Sequence, residues 1–70
     1  MNDDKMNYER AKVFFNKQIV VHVSKINGTY YNGLILEVAP TYIFIDDKED
    51  GRKMVLFKEL AKDLEEYRNE

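Results

Sequence analysis

No apolar run in this chain exceeds ten residues, and that limit decides more than anything else what it can fold into. Four runs follow one another at 19–26, 29–38, 41–46 and 53–57, each rich in Val, Ile, Tyr or Phe. Such residues suit a pleated, half-buried surface. Asn27-Gly28, Ala39-Pro40 and the segment 47–51 punctuate them. Short strands joined by tight turns predict an antiparallel meander that closes on itself.

Asn27-Gly28 predicts a hairpin with a type I′ turn, which needs positive φ at both central residues. Its partner strand, TYYNGLILEV, carries Gly33 in its middle. A mid-strand glycine marks a sharp bend, a bulge or a close approach of backbones. A small barrel needs such a bend to curl its long second strand around the core. Pro40 ends that strand because it has no N–H to donate. The run Tyr42-Ile43-Phe44-Ile45 is continuous rather than alternating, which predicts a strand covered on both faces. Residues 46–51 then form a charged hairpin tip, and Met54 begins the return.

The flanks read differently. In residues 1–18, Tyr8, Ala11, Phe14 and Phe15 fall at i, i+3, i+6 and i+7, one face of an amphipathic helix. Asn2, Asp3 or Asp4 can cap it. That face is expected to lie over an open end of the barrel formed by residues 19–67. At the other end, Phe57, Leu60, Ala61, Leu64 and Tyr67 have helical spacing. The same letters also fit a short helical turn followed by a fifth strand, although periodicity alone favours the helix. The whole of 1–70 reads as one domain.

Seventy residues with no cysteine and one histidine, His22, leave a small core without disulfides or a conventional zinc site. Burial against other copies is the remaining route to extra stability. No run approaches the roughly 18 residues of a membrane span, and the charged N-terminus does not resemble a signal peptide. The chain reads as soluble and cytoplasmic. Net charge is −2, whereas a protein that coats nucleic acid through general phosphate attraction is usually clearly basic. That balance argues against unspecific DNA coating and leaves room for a localised RNA site.

Little in the chain suggests catalysis. Ser24 and His22 share a strand face, but no third group is evident to complete a nucleophilic arrangement. The run DDKEDG fails as a calcium loop: Lys48 falls at the third position and Phe57 at the twelfth. Three scattered glycines form no phosphate loop. No metal or cofactor is implied. Of Tyr8, Tyr30, Tyr31, Tyr42 and Tyr67, the one best placed to project from a loop and stack on an unpaired base is Tyr42, just after Pro40-Thr41.

The segment Gly28-Thr29-Tyr30-Tyr31-Asn32-Gly33-Leu34-Ile35-Leu36-Glu37-Val38 resembles the first motif of the Sm-like family of RNA-associated proteins. It has the turn glycine, an aromatic at Tyr31, Gly33, then apolar Ile35 and Val38. Tyr42, Phe44 and Ile45 continue the resemblance, and the element order matches over roughly residues 8–67. The resemblance implies a strongly bent five-stranded antiparallel barrel, Sm-like or SH3-like, with an N-terminal helix. It further implies a ring of roughly six to eight copies, in which the fourth strand of one copy pairs with the fifth of the next. Single-stranded RNA would bind at the pore, with Tyr42 stacking on bases and Lys58 contacting phosphate. Three places depart from the pattern. Ala39 stands where the family has Asp, Ile43 where it has a base-contacting Asn, and Leu56-Phe57-Lys58-Glu59 where it has Arg-Gly.

Two functions follow as expectations. The first is a divergent Sm-like ring subunit that scaffolds or chaperones single-stranded RNA. The second is a small-barrel assembly module that binds protein and no nucleic acid.

Overall fold

In the computed structural model, which describes residues 4–68, helix α1 spans Asp4–Lys17. It is followed by β1 (Val21–Ser24), β2 (Tyr30–Val38), β3 (Tyr42–Asp47), β4 (Gly51–Leu56), a 3₁₀ turn at Phe57–Glu59 and β5 (Glu65–Glu66). The protein is thus mainly β, with five antiparallel strands in one sheet ordered β4–β3–β2–β1–β5. Among the described residues no ladder joins β4 to β5, so the sheet keeps two edges where the sequence predicted closure.

Strand parity sorts the side chains. Val21 and Val23 point inward from β1 and are fully buried, while His22 and Ser24 face outward and are half-buried. On β3, Ile43 and Ile45 are fully buried and Tyr42 and Phe44 are half-buried. The continuous run at 42–45 is therefore covered on one face only, and its outward aromatics account for the missing alternation. Val55, Phe57, Leu60 and Leu64 complete the buried centre. Burying one such side chain fully is worth about 1.5–3 kcal/mol.

Gly33 pairs with Asp47 in the β2–β3 ladder. A β-carbon built on Gly33 would lie 1.8 Å from the carbonyl oxygen of Asp46, so no side chain fits there. Two residues further on, the β2–β3 register shifts between Ile35 and Glu37. Close approach and bulge together bend the longest strand.

The hairpin after β1 differs from the sequence expectation. Gly28 has φ +89°, but Asn27 keeps a negative φ, since Gln18 is the one described non-glycine with positive φ. Gly28 N–H donates to the Lys25 carbonyl at 3.0 Å and Lys25 N–H to Thr29 at 2.8 Å. This is the three-residue loop whose last residue is left-handed, rather than type I′. β4 also begins earlier than expected, at Gly51, which brings Arg52 and Lys53 into the strand.

Helix α1 lies over the sheet through Ala11, fully buried, with Tyr8, Phe14 and Phe15 against the core. Asn2 and Asp3, two of the expected caps, lie outside the described residues; Asp4 supplies the acidic group of the first turn. At its C-terminus, Ile19 N–H donates to Phe14 O at 3.0 Å and Gln18 N–H to Phe15 O at 3.2 Å. With Gln18 at φ 56°, this is a Schellman ending made without glycine.

The last segment is not a helix. After the 3₁₀ turn the chain runs along the free side of β1: Ile26 N–H donates to Glu59, Ala61 N–H to Ser24 and Tyr67 N–H to Val20, each at 2.8 Å. Phe57, Leu60 and Leu64 are buried along this path, so tertiary burial overrode a helix-like spacing.

Candidate assembly and nucleic-acid interface

Tyr42 opens β3, and its outward parity leaves the ring half-buried, edge-on to Phe44 with centroids 5.8 Å apart. Its ladder partner is Leu56, and Phe57 N–H donates to the Thr41 carbonyl at 3.0 Å. These contacts tie the 3₁₀ turn to the start of β3. Lys58, exposed on that turn, therefore emerges at the same end of the sheet as Tyr42. The backbone thus brings two residues 16 positions apart in sequence to one end of the molecule.

The neighbouring positions are committed elsewhere. Ala39 N–H donates to the Tyr42 carbonyl at 2.9 Å, closing the turn without any side-chain acceptor. Ile43 is 0% exposed and pairs with Val38, so it belongs to the core and presents nothing to a base. Lys25, a second cation near the 3₁₀ turn, is held 3.5 Å from Glu59 and lies 5.7 Å from the Tyr31 ring. Glu59 in turn accepts from Leu56 N–H at 3.0 Å. Lys58 is thus the cation that this turn offers to solvent.

The two edge strands carry side chains of opposite charge, and on β5 Glu65 is paired with Lys62 at 3.2 Å. β4 presents Arg52 and Lys53 and β5 is Glu65-Glu66. Beside β4 the outward face is apolar: Met54 is 46% and Leu36 41% exposed. Arg52 stacks over Phe44, 4.1 Å from its centroid, and reaches Glu37 at 3.8 Å. Arg52 therefore already covers part of this patch.

Two arrangements went beyond the sequence reading, in which Ser24 and His22 shared a face but had no third group. His22 and Asn32 pair across β1 and β2, and the His22 Nδ1 lies 2.5 Å from the Asn32 Oδ1. The His22 Nε2 lies 3.2 Å from the Ser24 hydroxyl. Assigned in this way, Nδ1–H donates to Asn32 and Nε2 accepts from Ser24. His22 and Asn32 sit equidistant from Asn27, so hairpin symmetry was the signal that could have paired them. The chain Ser24–His22–Asn32 has the connectivity of a nucleophile, base and orienting group. It lies along the β1–β2 ladder, where His22 pairs with Asn32 and Ser24 with Tyr30. It is a hydrogen-bonded chain that fixes the outer face of β1 and β2.

The second arrangement is Asp47. Its Oδ1 accepts from Asn32 N–H at 2.9 Å, and its Oδ2 from Glu49 and Asp50 N–H at 3.1 and 2.8 Å. Burial works to raise its pKa, but the three N–H donors and the charge of Lys53 outweigh that and hold it below the usual aspartate value. The carboxylate of the DDKEDG run is thus spent on shaping the hairpin.

Among the described residues no helix is long and apolar enough to cross a membrane. Comparison with known proteins finds no matching family model, curated protein or solved structure.

Proposed function

We propose that this chain is a divergent Sm-like subunit whose bent sheet forms a small barrel. Copies assemble by pairing β4 of one with β5 of the next and present Tyr42 and Lys58 to single-stranded RNA. The observation that carries this reading is the pair of unlike edges: β4 with Arg52 and Lys53, β5 with Glu65 and Glu66. An open sheet edge is a template for pairing, and opposite charges favour β4 against β5 over either edge against itself. Such head-to-tail contacts generate rings when the rotation closes. Each copy would then repeat Tyr42 and Lys58 at one end of the assembly, which suits a strand of stacked bases better than a single weak site.

A second reading, an assembly that binds protein and no nucleic acid, is favoured by Ile43, which is buried at the position expected to contact a base. One set of measurements separates the two. Light scattering after size exclusion is expected to give several times the chain mass. Glu65→Lys with Glu66→Lys should lower that mass, and adding Arg52→Glu with Lys53→Glu should restore it. A wild-type monomer at micromolar concentration sinks the assembly. Uridine-rich and adenine-rich oligomers are expected to bind below about 10 μM at roughly 0.1 M salt. Tyr42→Ala should weaken that binding by the ~1–3 kcal/mol of one stacked base. An intact oligomer that binds neither oligomer selects the protein-only reading.

A further inference from the structure

At the opposite end of β3 from Tyr42, the β1–β2 and β3–β4 turns flank a cleft of about 330 Å³. Its aromatic lining is Tyr30, 63% exposed, and Tyr67, half-buried and anchored by its N–H to the Val20 carbonyl. Its charged lining is three carboxylates, Asp47, Glu49 and Asp50, against the single cation Lys48. The Lys48 ammonium already lies 4.6 Å from the centroid of the Tyr67 ring. Asp47 is saturated by backbone donors, while Glu49 and Asp50 are exposed and make no ion pair among the described residues.

We propose that this cleft binds an ammonium group, from a lysine side chain of a protein partner or from a polyamine, and that Lys48 fills it in the free chain. Ring faces attract ammonium ions, and carboxylates at the rim add Coulombic attraction for the same charge. A phosphate would meet a net negative lining, so the cleft selects against nucleic acid. Lys48 is suited to the part of internal substitute. It stands on an exposed hairpin turn, fixed through its backbone N–H to the Asn32 carbonyl at 2.9 Å, while its side chain is long and exposed. The inference stands apart from the RNA reading, because neither Tyr42 nor Lys58 lines the cleft.

The test is a titration of backbone amide shifts with two probes, spermidine and an uncharged-ended pentapeptide bearing one lysine. Shifts are expected to centre on residues 28–32, 47–50 and 67, and the tighter probe identifies the source of the ammonium. Lys48→Ala should bind about three-fold tighter or more by removing the competitor on the ring. Lys62→Ala, which removes the same charge elsewhere, should leave affinity unchanged. Glu49→Gln with Asp50→Asn should weaken binding about as much; Tyr67→Phe should keep it and Tyr67→Leu lose it. Equal tightening by Lys48→Ala and Lys62→Ala overturns the proposal. So do shifts spread equally over Asp63, Glu65 and Glu66, or a uridine hexamer that moves the cleft amides.

Discussion

Gly33 and Asp47 face each other across β2 and β3, and each is irreplaceable for a different reason. At Gly33 the reason is steric: the missing β-carbon is the space occupied by the Asp46 carbonyl. Gly33→Ala forces that backbone apart and breaks the ladder at the bend. The expected cost is about 3 kcal/mol or more, at the upper end of overpacking effects, read as a fall in the urea midpoint. A loss under about 1 kcal/mol would mean that the two strands separate easily there. At Asp47 the reason is electrostatic. The native carboxyl ionises more readily than the unfolded one, so it adds stability above the unfolded aspartate value of about 3.9. That stability is lost as pH falls through the lower native value. Asp47→Asn should therefore destabilise the fold at neutral pH and flatten its acid limb. Parallel stability curves for the two proteins below pH 5 would rule this out.

Helix α1 is the element least settled in its packing. Asn7 is 1% exposed, and neither its amide nitrogen nor its oxygen has a hydrogen-bond partner. An unpaired buried amide costs about 1–3 kcal/mol. Asn7→Leu, similar in size and apolar, should recover about 1–2 kcal/mol and raise Tm by several degrees, given about 4–8 °C per kcal/mol in a domain this small. An unchanged Tm would indicate a trapped water that satisfies Asn7. The sequence showed the helix through Tyr8, Ala11, Phe14 and Phe15 but gave no warning of Asn7, because a polar letter beside an apolar stripe reads as surface. Elsewhere, legibility followed the range of the interaction. Pro40 and the alternation in β1 act locally and could be read; Gly33 contacts the next strand, at Asp46, but a mid-strand glycine is itself the signal. β5 stayed open between helix and strand, because its two residues are held by β1, more than 40 positions away. The turn at Asn27-Gly28 was read in place but not in type, since the dipeptide serves both loop geometries.

For the whole molecule, sheet order is the property that the letters conceal and the fold supplies. Tyr42 and Lys58 are each visible in the sequence, yet only the tie between Thr41 and Phe57 puts them at one end. The partnership of His22, Ser24 and Asn32 likewise exists only once the hairpin register is fixed. What the sequence could not yield at all is the state of the edges, because an unpaired strand is spelled like a paired one. The order β4–β3–β2–β1–β5 leaves each copy with one edge of either charge. Under the proposed pairing, a copy impaired at β5 keeps a working β4. It joins a growing assembly once and offers the next copy nothing. Such a variant, co-expressed with the wild-type chain, would be dominant: a minority of poisoned subunits would cap most assemblies, whereas a chain that fails to fold would be recessive and merely lower the supply.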